Sequence, residues 1–129
     1  MQELYKYDYA IIRVVPRVER EEFINAGVIL SCLETNFLGS GIALDEERLK
    51  CFAPDSDIEN IKIYLDTIPK ICAGEKDAGI IGQLPKRARF YWLTAVRSTI
   101  IQTSPVHSGL CQNPESQIEK LLEKYVYLS

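Results

Sequence analysis

The sequence predicts a single α+β domain over residues 1–129, in which an antiparallel sheet of about four strands packs against two or three helices. The chain has 129 residues, of which 47% are hydrophobic and 26% are charged, as in one globular domain. Strand patterns cluster in the first third of the chain, and helix patterns dominate the remainder. Separate runs of strands and helices are typical of α+β folds.

The first third of the chain predicts three strands. Residues 5–15 are rich in aromatic and β-branched types, and Pro16 ends this strand. Because both of its faces carry large apolar groups, we expect it to be central in the sheet. Two apolar runs, 26–33 and 37–44, flank a polar break and indicate an antiparallel hairpin. Gly27 should mark a bulge or a close backbone approach.

Helix signals begin at Asp45. A short helix is expected over residues 45–49, because acidic residues occupy its first turn. Ser56 and Glu59 match a capping box that starts a longer amphipathic helix. Pro69 lies within the apolar pattern of that helix and predicts a kink or an early end.

The last third of the chain predicts one more strand and a final helix. Residues 97–103 contain several β-branched side chains and favour the strand. Residues 104–109 are rich in Ser, Pro and Gly, so we expect a loop there. Asn113 is the predicted N-cap of the final helix, and Pro114 lies in its first turn.

Charge is distributed unevenly along the chain. The net charge is −3, yet residues 78–114 contain no Asp or Glu, and we call them the acid-free segment. Lys86, Arg87, Arg89 and Arg97 lie in it. Because unpaired Lys and Arg side chains are rarely buried, the acid-free segment predicts a basic face that meets an anionic partner.

Four residues are the candidate anion-binding site, namely Arg97, Ser98, Thr99 and His107. An arginine can form a bidentate pair with an oxyanion, and the hydroxyls can complete the shell. Protonated His107 would add attraction below about pH 6.5, so binding should strengthen on acidification. The supporting candidates are Arg13, Asn25 and Arg89. The ligand expected is a small phosphate-containing group.

Two other kinds of function remain open. The chain carries no P-loop, dinucleotide fingerprint or nucleophile elbow, and the catalytic residues of an enzyme are unknown. A phosphoester- or nucleotide-processing enzyme would use the four candidate anion-binding residues. A nucleic-acid-binding module would use Lys86, Arg87 and Arg89 with the neighbouring aromatic side chains. Four basic residues are few for a duplex binder, so nucleic acid is the less favoured partner.

Cysteine usage favours a reducing compartment. Cys32, Cys51, Cys72 and Cys111 are scattered without a C-x-x-C pair, and we expect buried free thiols. His107 and Cys111 lack a second ligand pair, so neither a metal nor a cofactor is expected. The chain has no long apolar run, and its N-terminus does not resemble a signal peptide. We therefore expect a cytoplasmic protein without a membrane partner.

Four ordered motifs resemble one protein family. They are YAIIRVVP at residues 9–16, EFINAGVIL at 22–30, RFYWLTAVRST at 89–99 and SPVHSGLC at 104–111. Together they are similar to an uncharacterised bacterial family, a domain of unknown function whose members are often encoded beside HipA-like kinases. The resemblance covers nearly the whole chain and supplies no catalytic residues. It implies a small accessory or binding protein with a HipA-like kinase as partner.

The tyrosines indicate an association surface. Tyr5, Tyr7 and Tyr9 lie at one end of the first strand, and Tyr125 and Tyr127 lie at the end of the last helix. These rings exceed what a core of this size needs, and aromatic rings are favoured at interfaces. The pattern predicts a homodimer or a patch that faces the kinase.

Overall fold

A computed structural model describes residues 3–127, so the predicted domain bounds 1–129 extend two residues beyond the described chain at each end. The fold is α+β with an antiparallel sheet, as the sequence predicted. Five strands form the sheet, namely β1 (Tyr5–Val14), β2 (Ile24–Cys32), β3 (Phe37–Ile42), β4 (Ile101–Thr103) and β5 (His107–Cys111).

Four α-helices pack on the sheet, namely α1 (Glu46–Phe52), α2 (Ile58–Ala73), α3 (Lys86–Leu93) and α4 (Pro114–Tyr125). Short 3-10 turns occur at residues 18–20, 76–78 and 81–83. None of the helices in the described part of the chain is long and apolar enough to span a membrane.

Strand β1 is the centre of the sheet. Along one edge it pairs with β2, and β2 pairs in turn with β3. Along the other edge β1 pairs with β5 at residues 5–9 and with β4 at residues 12–14. All of these pairings are antiparallel. The expectation that the first strand is central is therefore confirmed.

Both faces of β1 are covered. On one face, Ile12 and Val14 join the core beneath α2 and α3. On the other face, Tyr7, Tyr9 and Ile11 pack with the buried side of α4. Each face has its own hydrophobic cluster, so the sheet lies between two layers of helices and β1 contributes to both cores.

Strands β4 and β5 continue one another along β1 and are separated by a bulge. Thr103 pairs with Ile12 and His107 pairs with Tyr9, so the outer strand has one extra residue between these pairs. Ser104 spans the irregularity, because its amide donates to the Ile11 carbonyl and its hydroxyl accepts from the Ile11 amide, both at 2.8 Å. The expectation of a loop over residues 104–109 is therefore wrong for residues 107–109.

Two further local predictions differ from the structure. Asp57 caps α2 through a hydrogen bond from the Asn60 amide, so Ser56 is not the cap. Helix α2 also continues past Pro69 to Ala73, and the early end does not occur.

Helix α3 occupies residues that gave no helix signal in the sequence. Its buried side chains are Phe90, Leu93 and Arg89. A buried arginine interrupts the apolar periodicity that identifies an amphipathic helix. The predicted strand over residues 97–103 begins too early, because β4 starts at Ile101 and residues 97–100 form a loop.

Gly27 lies where two backbones approach closely. A Cβ atom at Gly27 would lie 2.5 Å from the Gly41 carbonyl oxygen and 3.0 Å from the Ile12 side chain. The register between β1 and β2 also shifts beside it, since Ile12 faces Gly27 while Arg13 faces Asn25. Both the predicted bulge and the predicted close approach are confirmed.

We expect Gly27→Ala to destabilise the protein by about 1–3 kcal/mol, because the obstructing atom belongs to the backbone of β3 and cannot move alone. Gly39→Ala is the matched control, since its added Cβ would meet the side chains of Phe37 and Ile118, which can shift. Urea unfolding of both variants measures the difference. A loss that is equal or larger for Gly39→Ala would contradict the explanation.

Candidate functional site

Arg89 of the acid-free segment is buried and has a structural role. Its side chain is 8% exposed. The guanidinium donates to the carbonyls of Ile71 and Cys72 at the C-terminal end of α2, and also to the Leu84 carbonyl, at 2.8–2.9 Å. A cation at this end of a helix neutralises the partial negative charge of the last carbonyls. Arg89 therefore needs no carboxylate and is not available to a ligand.

Arg87 is paired within the molecule as well. Its guanidinium donates to the Asp8 carboxylate of β1 and, at 2.9 Å, to the Ser31 hydroxyl of β2. Burial raises the pKa of Asp8, but hydrogen bonds from Ser108 and Arg87 outweigh this effect and leave the pKa below its ordinary value. This network connects α3 to three strands.

Arg97 holds the end of α3. It donates to the carbonyls of Leu93, at 2.9 Å, and Trp92, and its guanidinium lies 4.4 Å from the centre of the Trp92 ring. Lys86, at the start of the same helix, donates to the Asn36 carbonyl at 2.8 Å. The basic residues of the acid-free segment thus point to separate places, and they do not form one basic face.

A cleft lies beside the C-terminal end of α3, and we call it the Trp92 cleft. Its volume is about 580 Å³. Helix α2, the end of α3, the loop before β4 and β4 itself form its walls. The lining residues are Val18, Tyr64, Thr67, Ile68, Ile71, Trp92, Leu93, Arg97, Ser98, Thr99, Ile100, Ile101, Gln102 and Thr103.

Among residues 3–127, the lining of the Trp92 cleft is mostly apolar and contains no carboxylate. Arg97 is its one charged side chain among the described residues, and Ser98 and Thr99 also line it. The structure therefore brings together three of the four candidate anion-binding residues. The α2 side of the cleft was missed from the sequence, because Ile68 and Ile71 give the same pattern as core residues.

His107 lies away from the Trp92 cleft. It is an exposed residue of β5, directly opposite Tyr9, and the centres of the two rings are 5.7 Å apart. Tyr9 belongs to the cluster under α4, whereas Ile68 and Leu93 of the cleft belong to the cluster under α2 and α3. His107 and Arg97 are thus on opposite faces of the sheet, and the four candidates do not form one site.

Arg13 and Asn25 also lie on the α4 side of the sheet, where they face each other across β1 and β2. The Arg13 guanidinium lies 4.1 Å from the centre of the Phe23 ring, and the Asn25 amide donates to the Tyr125 carbonyl at 3.0 Å. Arg13 Nε and Asn25 Oδ1 are buried without a hydrogen-bond partner in the described structure. Arg13 pairs with Gln102 of β4, but neither Arg13 nor Asn25 lines the cleft.

The cysteines are free thiols, and three of the four are buried. Cys51 is exposed on α1, so the expectation of burial is wrong for it. Burial raises the pKa of the Cys72 thiol to about 11. Residues 3–127 hold no cluster of three or more His, Cys, Asp or Glu side chains that could bind a metal ion.

Most of the tyrosines predicted to form an association surface pack against the hydrophobic cluster under α4. Tyr7 and Tyr9 are buried under α4, and the Tyr9 hydroxyl lies 3.3 Å from the Tyr125 hydroxyl. Burial, together with this hydrogen bond, raises the pKa of Tyr9 to about 12. Tyr127 is 43% exposed. The surplus of aromatic surface that motivated the homodimer prediction is therefore small, and the dimer itself stays a prediction.

We expect Arg89→Met to destabilise the protein by about 3 kcal/mol, because three hydrogen bonds from a charged donor are lost and buried carbonyls are left unpaired. Arg48→Met removes an exposed arginine of α1 and is the matched control, with an expected change within about 0.5 kcal/mol. Urea unfolding at neutral pH measures both. Similar losses for the two variants would contradict the structural role of Arg89.

The Asp8 carboxylate makes the free energy of unfolding depend on pH. Because the folded-state pKa of Asp8 is lowered, its contribution is present above the ordinary carboxyl pKa and is lost as the pH falls through the lowered value. We expect Asp8→Asn to unfold at lower urea than the wild type at pH 7, with a smaller difference at pH 3. Asp66→Asn on the exposed side of α2 is the control. A difference for Asp8→Asn that does not shrink in acid would contradict this assignment.

The comparisons with known proteins give a family and no function. A family model described as "Protein of unknown function (DUF3037)" matches residues 9–126. No curated protein matches the chain. No solved structure matches it. The family match covers most of the described sheet and all four helices, from within β1 to one residue past α4. The chain belongs to the family of proteins of unknown function DUF3037.

Proposed function

We propose that this protein is a binding protein whose Trp92 cleft accepts a ligand with an apolar group joined to an anionic group. The observation that carries the proposal is the lining of the cleft: about 580 Å³ of mostly apolar space, in which Arg97 is the one charged side chain that the described residues contribute. Cavities of this size and composition are typical of small-ligand sites, in which a few polar groups fix the orientation.

The apolar part of the ligand supplies most of the affinity. Tyr64 and Trp92 are 52% and 42% exposed, so both rings keep surface that a ligand would bury. Removing apolar surface from water stabilises a complex by about 25 cal/mol per Å² before the cost of association. The Trp92 ring already lies against the Arg97 guanidinium, which holds it at the wall of the cleft.

The anionic part of the ligand is recognised by Arg97. Two of its nitrogens donate to helix carbonyls, yet a guanidinium carries five N–H groups, so donors remain for an oxyanion. Ser98 lines the cleft next to Arg97, and its hydroxyl group is a further potential donor. Within the described part of the chain no carboxylate lines the cleft, so an anion meets no like charge from these residues. A hydrogen bond to a charged group contributes about 1.5–3 kcal/mol.

This proposal gives a concrete form to the accessory or binding role expected from the sequence. The HipA-like kinase stays a predicted partner. The alternative of a phosphoester- or nucleotide-processing enzyme receives no support from geometry, because His107 lies on the other face of the sheet from Arg97. Nucleic-acid binding receives none either, since Arg87 and Arg89 are engaged within the fold.

Trp92 is the single tryptophan of the chain, so its fluorescence reports on the cleft. We expect decanoate to change this fluorescence saturably, and decanol of equal chain length to bind about tenfold more weakly, because it lacks the charge. In Arg97→Gln, the affinity for decanoate should fall to that for decanol.

Arg48→Gln is the matched control, because it removes the charge of an exposed arginine outside the cleft and should leave decanoate binding unchanged. Thermal unfolding verifies that Arg97→Gln is folded at the temperature of the titration. The proposal fails if decanoate gives no saturable change with the wild type, or if Arg97→Gln binds decanoate as tightly as the wild type does.

A further inference from the structure

The Trp92 cleft borders an open edge of the sheet. Strand β4 pairs with β1 on one side, and within residues 3–127 no strand pairs with its other side. All three residues of β4, Ile101, Gln102 and Thr103, line the cleft. A ligand in the cleft therefore lies beside the exposed backbone of a strand.

The hydrogen-bond phase of β4 determines which backbone groups face outward. The Val15 amide donates to the Ile100 carbonyl at 2.6 Å, and the Ser104 amide donates to the Ile11 carbonyl at 2.8 Å. In an antiparallel ladder hydrogen-bonded pairs alternate with non-bonded pairs. Gln102 therefore bonds to Arg13, whereas the backbone groups of Ile101 and Thr103 point away from β1.

The outward edge is short and well delimited. The Thr99 hydroxyl donates to the Ile101 carbonyl at 2.8 Å and occupies that acceptor. The Ile101 amide and both backbone groups of Thr103 remain directed at the open side. The bulge at Ser104 and the following Pro105 end the regular edge, so a partner strand can pair along about three residues.

Exposed apolar side chains surround the cleft. Tyr64, Trp92 and Ile100 of the lining are each more than a third exposed, and Val96, which directly precedes the lining residue Arg97 in the chain, is fully exposed. Apolar side chains grouped around a cleft mark a surface that meets another molecule. A small amphiphile inside the cleft would leave the Val96 side of this surface in water, whereas a polypeptide can cover it.

We infer that the ligand of the Trp92 cleft is an extended peptide segment of another protein, which adds to β4 as a further strand. The inference rests on the proposed function and specifies its ligand. Backbone groups of the peptide bond to Thr103 and to the Ile101 amide, and an apolar side chain enters the cleft. An acidic side chain of the peptide pairs with Arg97, because the residues of the cleft that the structure describes present a cation and no carboxylate.

The test is selection from a phage-displayed library of random twelve-residue peptides on the immobilised wild-type protein, with counter-selection on Thr103→Pro. Proline removes an amide that points away from β1, so the β1–β4 ladder keeps its hydrogen bonds and the fold should persist. We expect enriched peptides with an apolar residue near an Asp or Glu. The affinity of these peptides should be about tenfold lower for Thr103→Pro than for the wild type. It should also be about tenfold lower for Arg97→Gln than for the wild type.

A second measurement uses the selected peptides with N-methyl groups placed on one backbone amide at a time, and it does not depend on the folding of a variant. Strand addition predicts that methylation at alternate positions abolishes binding and that the positions between tolerate it. The inference is overturned if selection enriches no peptide on the wild type over Thr103→Pro, or if N-methylation has no alternating effect.

Decanoate separates failure of the inference from failure of the proposed function. The decanoate response of Trp92 in the wild-type protein is the separate readout, since an anion and an alkyl chain need no strand edge. If decanoate binds and no peptide does, the cleft binds small amphiphiles and only the peptide inference is wrong. If neither binds, the proposed function is wrong as well.

Discussion

The burial of β1 on both faces is the constraint on which the rest of the fold depends. Ile12 and Tyr9 belong to different hydrophobic clusters, because residues three apart on one strand point to opposite faces of the sheet. Such a strand needs a neighbour on each edge and a layer of helices on each face. The hairpin partner β2 satisfies one edge, and the broken strand β4–β5 satisfies the other. Helices α2 and α3 cover one face, and α4 covers the other.

The absence of acids from residues 78–114 has a physical origin in this architecture. Arg89 and Arg97 neutralise carbonyls at the ends of α2 and α3, so their counter-charges are peptide dipoles and not carboxylates. Arg87 takes its carboxylate from β1, at Asp8. The acid-free segment resembles a basic ligand-binding face in the sequence, but its arginines largely stabilise the fold through internal hydrogen bonds. Arg97 is the exception, because its cap position also places it in the wall of an apolar cleft.

The cleft and the open edge of β4 lie side by side. The bulge at Ser104 ends β4 after three residues, and the loop that precedes β4 carries Arg97, Ser98 and Thr99 to the wall of the cleft. The Ser104 hydroxyl substitutes for a backbone acceptor opposite Ile11, which preserves the pairing of β1 across the interruption. A short edge beside an apolar cavity exposes limited backbone, which restrains unspecific strand pairing.

The sequence by itself determined the α+β class, the central first strand, the hairpin with its close approach at Gly27 and the Asn113 cap of α4, because alternation, turn residues and caps act over a few neighbouring positions. It also placed Arg97, Ser98 and Thr99 together, since they are consecutive. Only the tertiary structure decided that Arg89 is buried, that residues 86–93 form a helix around it, and that His107 lies on the other side of the sheet. These outcomes depend on which distant carbonyls, strands and faces come into contact, and local patterns contain no information about such contacts.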